Sequence, residues 1–179
     1  MIKKMHTRSD ETSKAYYLLE HPEEYPGLVS HQLSDRQFLL LQYPTFEPYA
    51  SWSLFQIGKH YWVRRVEWDR SKRIPFHETD PFTYGSTIKC PQALAEDVLS
   101  RLRSLAFRPF SIQQEGIGLD GTTYGISLGD FQLSCDIQWW CTPPDEWNEV
   151  AVWFRTTVLA FENLLPESSC RCVKLEFDF

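Results

Sequence analysis

The 179-residue sequence has no apolar stretch long enough to span a bilayer, and its formal net charge of −6 shows no excess of basic residues. A membrane-spanning helix needs about 20 predominantly apolar residues, and binding to phosphate backbones or anionic lipid depends on a basic surface. Residues 1–8 are polar and contain no signal-peptide core. The basic residues from Arg64 to Arg73 are interpreted as a solvated face or loop. We therefore expect a cytoplasmic protein that binds neither nucleic acid nor membrane.

The sequence also lacks a complete signature for catalysis or for cofactor binding. Gly116-Ile117-Gly118 is followed by a predicted strand and not by a helix N-terminus, so it does not form a phosphate-binding loop. No known nucleophile motif surrounds any of the cysteines. We predict no catalytic residue, no cofactor and no metal ion, and the sequence favours a protein that is not an enzyme.

The five cysteines include no C-x-x-C pair, and we expect all of them to be reduced. Cys170 and Cys172 would point the same way in a strand, which allows joint metal binding, but no third or fourth ligand accompanies them. The segment from His77 to Asp80 is more simply a polar turn. Cys135 is predicted to face the core as a small hydrophobe.

Composition indicates an ordinary globular chain, with 42% hydrophobic and 23% charged residues. A domain of this size buries about 70% of the surface that its unfolded chain exposes, so it needs no disulfide. We predict a single domain over residues 1–179, in which residues 1–30 form a poorly defined N-terminal segment.

The hydrophobic pattern predicts an α+β fold, in which a two-layer, mainly antiparallel twisted sheet is packed by two amphipathic helices. The predicted elements are a short helix at 9–20, strands at 36–43, 52–57, 61–68 and 83–89, a helix at 91–107, a meander at 117–138, a second long helix from about 144 to 165 and a closing strand at 173–179. Thr142 is predicted to cap the second long helix.

The meander contains the turn pair Gly129-Asp130, which predicts a two-residue hairpin connection. That register places six side chains on one buried face: Tyr124, Ile126, Leu128, Phe131, Leu133 and Cys135. It places the polar residues on the other face: Ser127, Gln132, Ser134, Asp136 and Gln138. One face is therefore expected to pack and the other to meet water.

The hairpin joined by Gly58 and Lys59 is partly apolar on both faces. Its turn predicts one face made of Phe55, Ile57, Trp62, Val66 and Trp68, and another made of Trp52, Leu54, Tyr61 and Val63. Because the helices of a two-layer fold cover only one face, we identify Trp52, Leu54, Tyr61 and Val63 as a candidate partner surface. The alternative is that residues 1–48 fold over this face and complete the core.

Three short motifs between Gly116 and Leu165 resemble a family of uncharacterised small bacterial proteins. They are Asp120-Gly121-Thr122-Thr123-Tyr124, Trp139-Trp140 and Pro144-Asp145-Glu146-Trp147. Some members of that family look like immunity proteins, which neutralise the toxins of competing bacteria. The resemblance implies an immunity-like inhibitor and supplies no catalytic residue.

The acidic charge, the aromatic content of 15% and the incomplete catalytic sets favour a non-catalytic protein-binding module. One alternative is an enzyme with a site assembled from distant residues, in which Asp136, Trp140 and one histidine line a pocket. Another is a homo-oligomeric structural subunit. A deep polar pocket would favour the enzyme, whereas an exposed aromatic patch would favour binding or assembly.

Overall fold

The computed structural model describes residues 8–72, 81–106, 120–129 and 134–170. Its helices and strands are α1 (Arg8–Glu20), β1 (Arg36–Pro44), β2 (Tyr49–Ile57), β3 (His60–Trp68), β4 (Thr83–Cys90), α2 (Gln92–Ser104), β5 (Thr122–Gly129), β6 (Ser134–Trp140) and α3 (Asn148–Glu162). Several predicted features lie outside the described residues: the polar turn at 77–80, the first meander strand at 117–119, Phe131, Leu133, Cys172 and the closing strand.

The six strands form one antiparallel sheet in the order β4-β3-β2-β1-β5-β6. β1 is an apolar run that is buried on both faces, so it lies inside the sheet and pairs with β2 and β5. Helix α2 connects β4, on one side of β1, to β5 on the other. The α+β class, the antiparallel sheet and the two amphipathic helices that pack on it are confirmed.

One face of the sheet carries the main core, which α2 and α3 cover. Helix α3 places its apolar side on this face, where Phe154 is fully buried against the rings of Tyr124 and Trp139 at 5.6 Å each. The two helices are also joined directly, because the Trp153 indole N–H donates to the Val98 carbonyl at 3.1 Å.

The opposite face of the hairpin is covered by the N-terminal segment. Leu18 and Leu19 of α1 pack with Val66, which points away from the main core. Arg64 is fully buried on this face and donates to the carbonyl oxygens of Pro22 and Val29 at 2.5 Å each. The prediction of a solvated face or loop is therefore wrong for Arg64 and Arg65, which are both fully buried. Arg64 attaches the N-terminal segment to the sheet.

The two-residue turn at Gly58 and Lys59 is confirmed, because Ile57 pairs with His60. Gly58 has a φ of +59°, in the left-handed region that favours glycine. Each face of the hairpin therefore carries the side chains that the sequence predicted.

The register predicted for Gly129-Asp130 is wrong. Leu128 pairs with Cys135 and Tyr124 with Trp139, so the connection includes residues 130–133. Gly-Asp is compatible with longer connections as well as with a two-residue turn. The slip is an even number of residues, so Tyr124, Leu128 and Cys135 still share a face. Cys135 is nevertheless exposed, because it lies near the start of β6, which among the described strands pairs only with β5.

The prediction that Thr142 caps the second long helix is also wrong. A 3-10 turn at Asp145–Trp147 precedes α3, and its N-cap is Pro144 with no side-chain cap. The ring of a proline disfavours the helical conformation for the residue before it. Because two prolines follow Thr142, the helix begins only after the second of them.

Candidate functional site

The four residues predicted to form a partner surface belong to the core. Trp52, Leu54 and Val63 are fully buried, and Tyr61 is 9% exposed. Strand alternation directs all four towards the face that α2 and α3 cover. The prediction of a partner surface on these side chains is therefore wrong.

Trp52 instead contacts a buried ionic cluster at the end of α3. Its indole N–H donates to the Glu162 carboxylate at 2.5 Å, and Arg65 donates to the same carboxylate at 2.6 Å. Burial raises the pKa of Glu162, and the bonds from Trp52 and Arg65 oppose this effect. Arg65 is fully buried, and its Nε forms an ion pair with the Glu67 carboxylate at 3.2 Å. The Nε–H of Arg65 makes no hydrogen bond to that carboxylate.

The same cluster holds the chain that follows α3. Arg65 donates to the Pro166 carbonyl at 3.0 Å, and the Ser168 hydroxyl donates to Glu67. Cys170 lies beside these residues, where burial and then the charge of Glu67 raise its pKa to about 12. These contacts are structural, since they attach the segment after α3 to the sheet.

Asp136 and Trp140, the predicted pocket lining, share a face of β6 but do not converge. They are four residues apart, which is about 13 Å along a strand. Asp136 is exposed, whereas Trp140 packs against Gly121 so closely that a Cβ there would lie 2.8 Å from its ring. Among the described histidines, His21 and His31 precede β1, and His60 lies on β3, four strands from β6. The pocket predicted for an enzyme is not assembled from these residues.

Negative charge is concentrated in one stretch of the chain. Residues 109–154 contain seven acidic residues and no lysine, arginine or histidine. The whole chain has 24 acidic and 18 basic residues, so outside this stretch the two kinds nearly balance at 17 and 18. Five of the seven are in the described part of the chain, and all five are exposed: Asp120, Asp136, Asp145, Glu146 and Glu149. We call these five residues the acidic face.

The connection between β6 and α3 carries Asp145 and Glu146 and lies beside Asp120. Cys141 directly follows β6 with a φ of +52°, and its N–H donates to the Thr122 carbonyl at 2.8 Å. Gly121 lies directly against Cys141, which places Asp120 beside this connection. The absence of a side chain at Gly121 allows this approach, since a Cβ there would come within 2.2 Å of the Cys141 sulfur.

The start of α3 supplies three more carboxylates. Asp145 and Glu146 lie in the 3-10 turn and Glu149 in the first turn of α3. The unpaired N–H groups at a helix start attract negative charge, so these positions also favour the helix. The half-buried Trp147, in the same 3-10 turn, packs edge-on against Trp139 with ring centroids 6.5 Å apart. This contact attaches the turn that carries Asp145 and Glu146 to β6.

Sequence reasoning missed the acidic face because it considered the net charge of the whole chain and not the distribution of that charge along the sequence. The available signal was the run of 46 residues without a basic side chain. The structure adds that the five described carboxylates of this run are exposed. In the described ranges, no group of three or more His, Cys, Asp or Glu side chains is placed to hold a metal ion.

Comparison with known protein families, with characterised proteins and with solved structures finds no match to the chain. In the part of the chain that the structure describes, none of the helices has the length and apolar character needed to cross a membrane. The resemblance of residues 116–165 to small bacterial proteins stays a prediction. The functional argument therefore depends on the acidic face.

Proposed function

We propose that this protein is a non-catalytic protein-binding module that uses its acidic face to hold a partner with a basic surface. The observation that carries the proposal is the concentration of the net negative charge in one stretch of the chain, whose five described carboxylates are all exposed. The resemblance of residues 116–165 to immunity-like proteins supports one form of this function, the inhibition of a toxin.

The position of the acidic face favours a protein partner. Its carboxylates lie before β5, on β6 and at the start of α3, and in the described ranges no three of them are placed around a common point. Among the described strands, β6 pairs only with β5, so its outer side lies at the edge of the sheet. Charge on an open surface steers a partner of opposite sign and raises its association rate.

The proposal is tested by using the protein as bait in extracts of the cells that encode it. The acidic-face variant is Asp145→Asn with Glu149→Gln. The control variant is Glu96→Gln with Asp97→Asn, which removes two exposed charges from α2. We expect a stoichiometric partner that the wild type and the control retain and the acidic-face variant loses.

Two further measurements identify the kind of binding. The association rate with the purified partner should fall as salt rises, because exposed charges are screened. For a toxin, co-expression with the wild type should restore growth, and co-expression with the acidic-face variant should not. A partner that both variants retain equally would contradict the use of the acidic face.

A further inference from the structure

The turn between β1 and β2 exposes an aromatic ring. Phe46 lies in this turn and is 80% exposed, the largest exposed fraction among the large hydrophobic residues that the structure describes. Its ring therefore contributes little to the core. A single exposed apolar residue is ordinary on a protein surface, so the surroundings of Phe46 decide whether it belongs to a binding surface.

Hydrogen bonds hold this turn in place beside β5. The Thr45 N–H donates to the Gly121 carbonyl at 2.9 Å, and the Gly121 N–H donates to the Thr45 hydroxyl oxygen at 3.0 Å. Arg70 donates to the carbonyl oxygens of Pro44 and Thr45 at 3.2 and 3.0 Å. The guanidinium of Arg70 also stacks on the Tyr49 ring at 4.2 Å. Because the backbone of the turn is already ordered, it loses little further freedom when a partner binds.

Gly121 joins the turn to a second aromatic side chain and to the acidic face. It bonds to Thr45 on one side, and a Cβ on it would lie 2.8 Å from the Trp140 ring. Asp120, a member of the acidic face, directly precedes Gly121, and Phe46 directly follows Thr45. The exposed ring of Phe46 and the acidic face are therefore neighbouring parts of one surface.

The face of β6 beside this turn is open. Ile137 and Trp139 point into the main core, so strand alternation directs Asp136, Gln138 and Trp140 to the opposite face. Asp136 and Gln138 are exposed there, and Trp140 is half-buried. Helix α1 packs over the β1–β3 part of this face. The open part thus combines a carboxylate, an amide and an aromatic ring.

We propose that the partner of the acidic face also binds the β1–β2 turn and the open face of β6, with Phe46 and Trp140 as apolar anchors. This inference rests on the proposed function, because Asp120 and Asp136 attract the same basic partner to this surface. Aromatic side chains are enriched in protein interfaces, and a few such residues carry most of the binding energy. The partner is a protein whose basic residues lie beside an apolar cleft that accepts the Phe46 ring.

The test measures binding rates with the purified partner that the wild type captures. Phe46→Ala should raise the dissociation rate about 30-fold or more, as loss of a hot spot does, and leave the association rate nearly unchanged. Because this contact is apolar, the effect should persist at high salt. The slower association of the acidic-face variant should instead disappear there, since salt screens exposed charges.

Matched controls separate this surface from general effects of substitution. Val29→Ala truncates a side chain that is 72% exposed in the segment between α1 and β1, and it should bind as the wild type does. Gln138→Lys adds a positive charge to the open face of β6 and should weaken binding at least about tenfold. Ser100→Lys, at an exposed position of α2 on the other side of the sheet, should not. All four variants should keep the Tm of the wild type.

The outcomes distinguish this inference from the proposed function. If Phe46→Ala and Gln138→Lys bind as the wild type does while the acidic-face variant does not, the inference is wrong and the proposed function stands. If Phe46→Ala and Gln138→Lys lose binding while the acidic-face variant keeps it, the contact with the turn is supported and the role of Asp145 and Glu149 is contradicted. If the wild type captures no partner, both proposals are wrong.

Discussion

Replacing Phe154 with alanine tests whether α3 stabilises the main core. Phe154 is fully buried in the middle of α3. Its ring meets those of Tyr124 and Trp139 edge-on, with centroids 5.6 Å apart and interplanar angles of 78° and 80°. Three aromatic rings thus pack together between the helix and the sheet, and a truncation would leave a cavity between rigid neighbours.

A buried Phe→Ala change costs about 3–5 kcal/mol, and more when the surroundings cannot collapse. Each edge-to-face pair contributes about 0.5–1.5 kcal/mol beyond its buried area. Because both neighbours are rigid aromatic rings, we expect a loss in the upper half of that range. For a chain of this length, 1 kcal/mol corresponds to about 2–4 °C, so the Tm should fall by roughly 8–20 °C.

Urea denaturation followed by circular dichroism measures the loss directly. The control is Val152→Ala, two residues away on the same helix, whose side chain is 46% exposed. Its effect should stay within about 0.5 kcal/mol. A loss below about 1 kcal/mol for Phe154→Ala, or an equal loss for both variants, would show that α3 does not pack on the sheet through this residue.

Three other predictions concern the opposite face and the thiols. Burial and then the charge of Arg64 lower the pKa of His31 in the folded protein. The unfolded chain therefore protonates this histidine at a higher pH, and the free energy of unfolding should fall as the pH drops below about 6.5. His31→Phe should reduce this pH dependence of stability in urea melts from about pH 7.5 to 5.5. Arg64→Ala leaves the carbonyl oxygens of Pro22 and Val29 without this donor, and each unsatisfied acceptor should cost about 1–3 kcal/mol of stability. Limited proteolysis should then cleave the N-terminal segment sooner than in the wild type. Cys135 is exposed and should react at once with a thiol reagent, whereas Cys90, whose pKa burial raises to about 11, should react only on unfolding. The first prediction is contradicted if His31→Phe leaves the pH dependence of stability unchanged, and the second if Arg64→Ala leaves the cleavage rate unchanged. The third is contradicted if Cys135 and Cys90 react at equal rates in the folded protein.

Local patterns predicted the elements well because their causes are local. The alternation of β2 and β3 and the Gly58-Lys59 turn determine the hairpin register without reference to the rest of the chain. The apolar positions of α2 and α3 recur at helical spacing, and the structure buries Val98 of α2 and Phe154 and Val158 of α3 among them.

The errors concern choices that the local sequence does not determine. A Gly-Asp pair is compatible with several connection lengths, so the register of β5 and β6 was not determined by the turn. Which face of the hairpin α2 and α3 cover depends on the whole topology, since both faces are apolar. The partner surface was therefore assigned to Trp52 and its neighbours, on the face that forms the main core.

Arg64 and Arg65 explain why the proposed binding surface lies at an edge of the sheet. Consecutive strand residues point to opposite faces, so Arg64 fastens the N-terminal segment on one side and Arg65 the segment after α3 on the other. Both faces of the central strands are thereby closed, and a ligand or partner has access mainly to the edges and connections. The acidic face, which has Asp136 on β6 and three carboxylates at the start of α3, meets that condition. Substitutions there should change binding with little effect on stability, whereas substitutions of the two arginines should do the reverse.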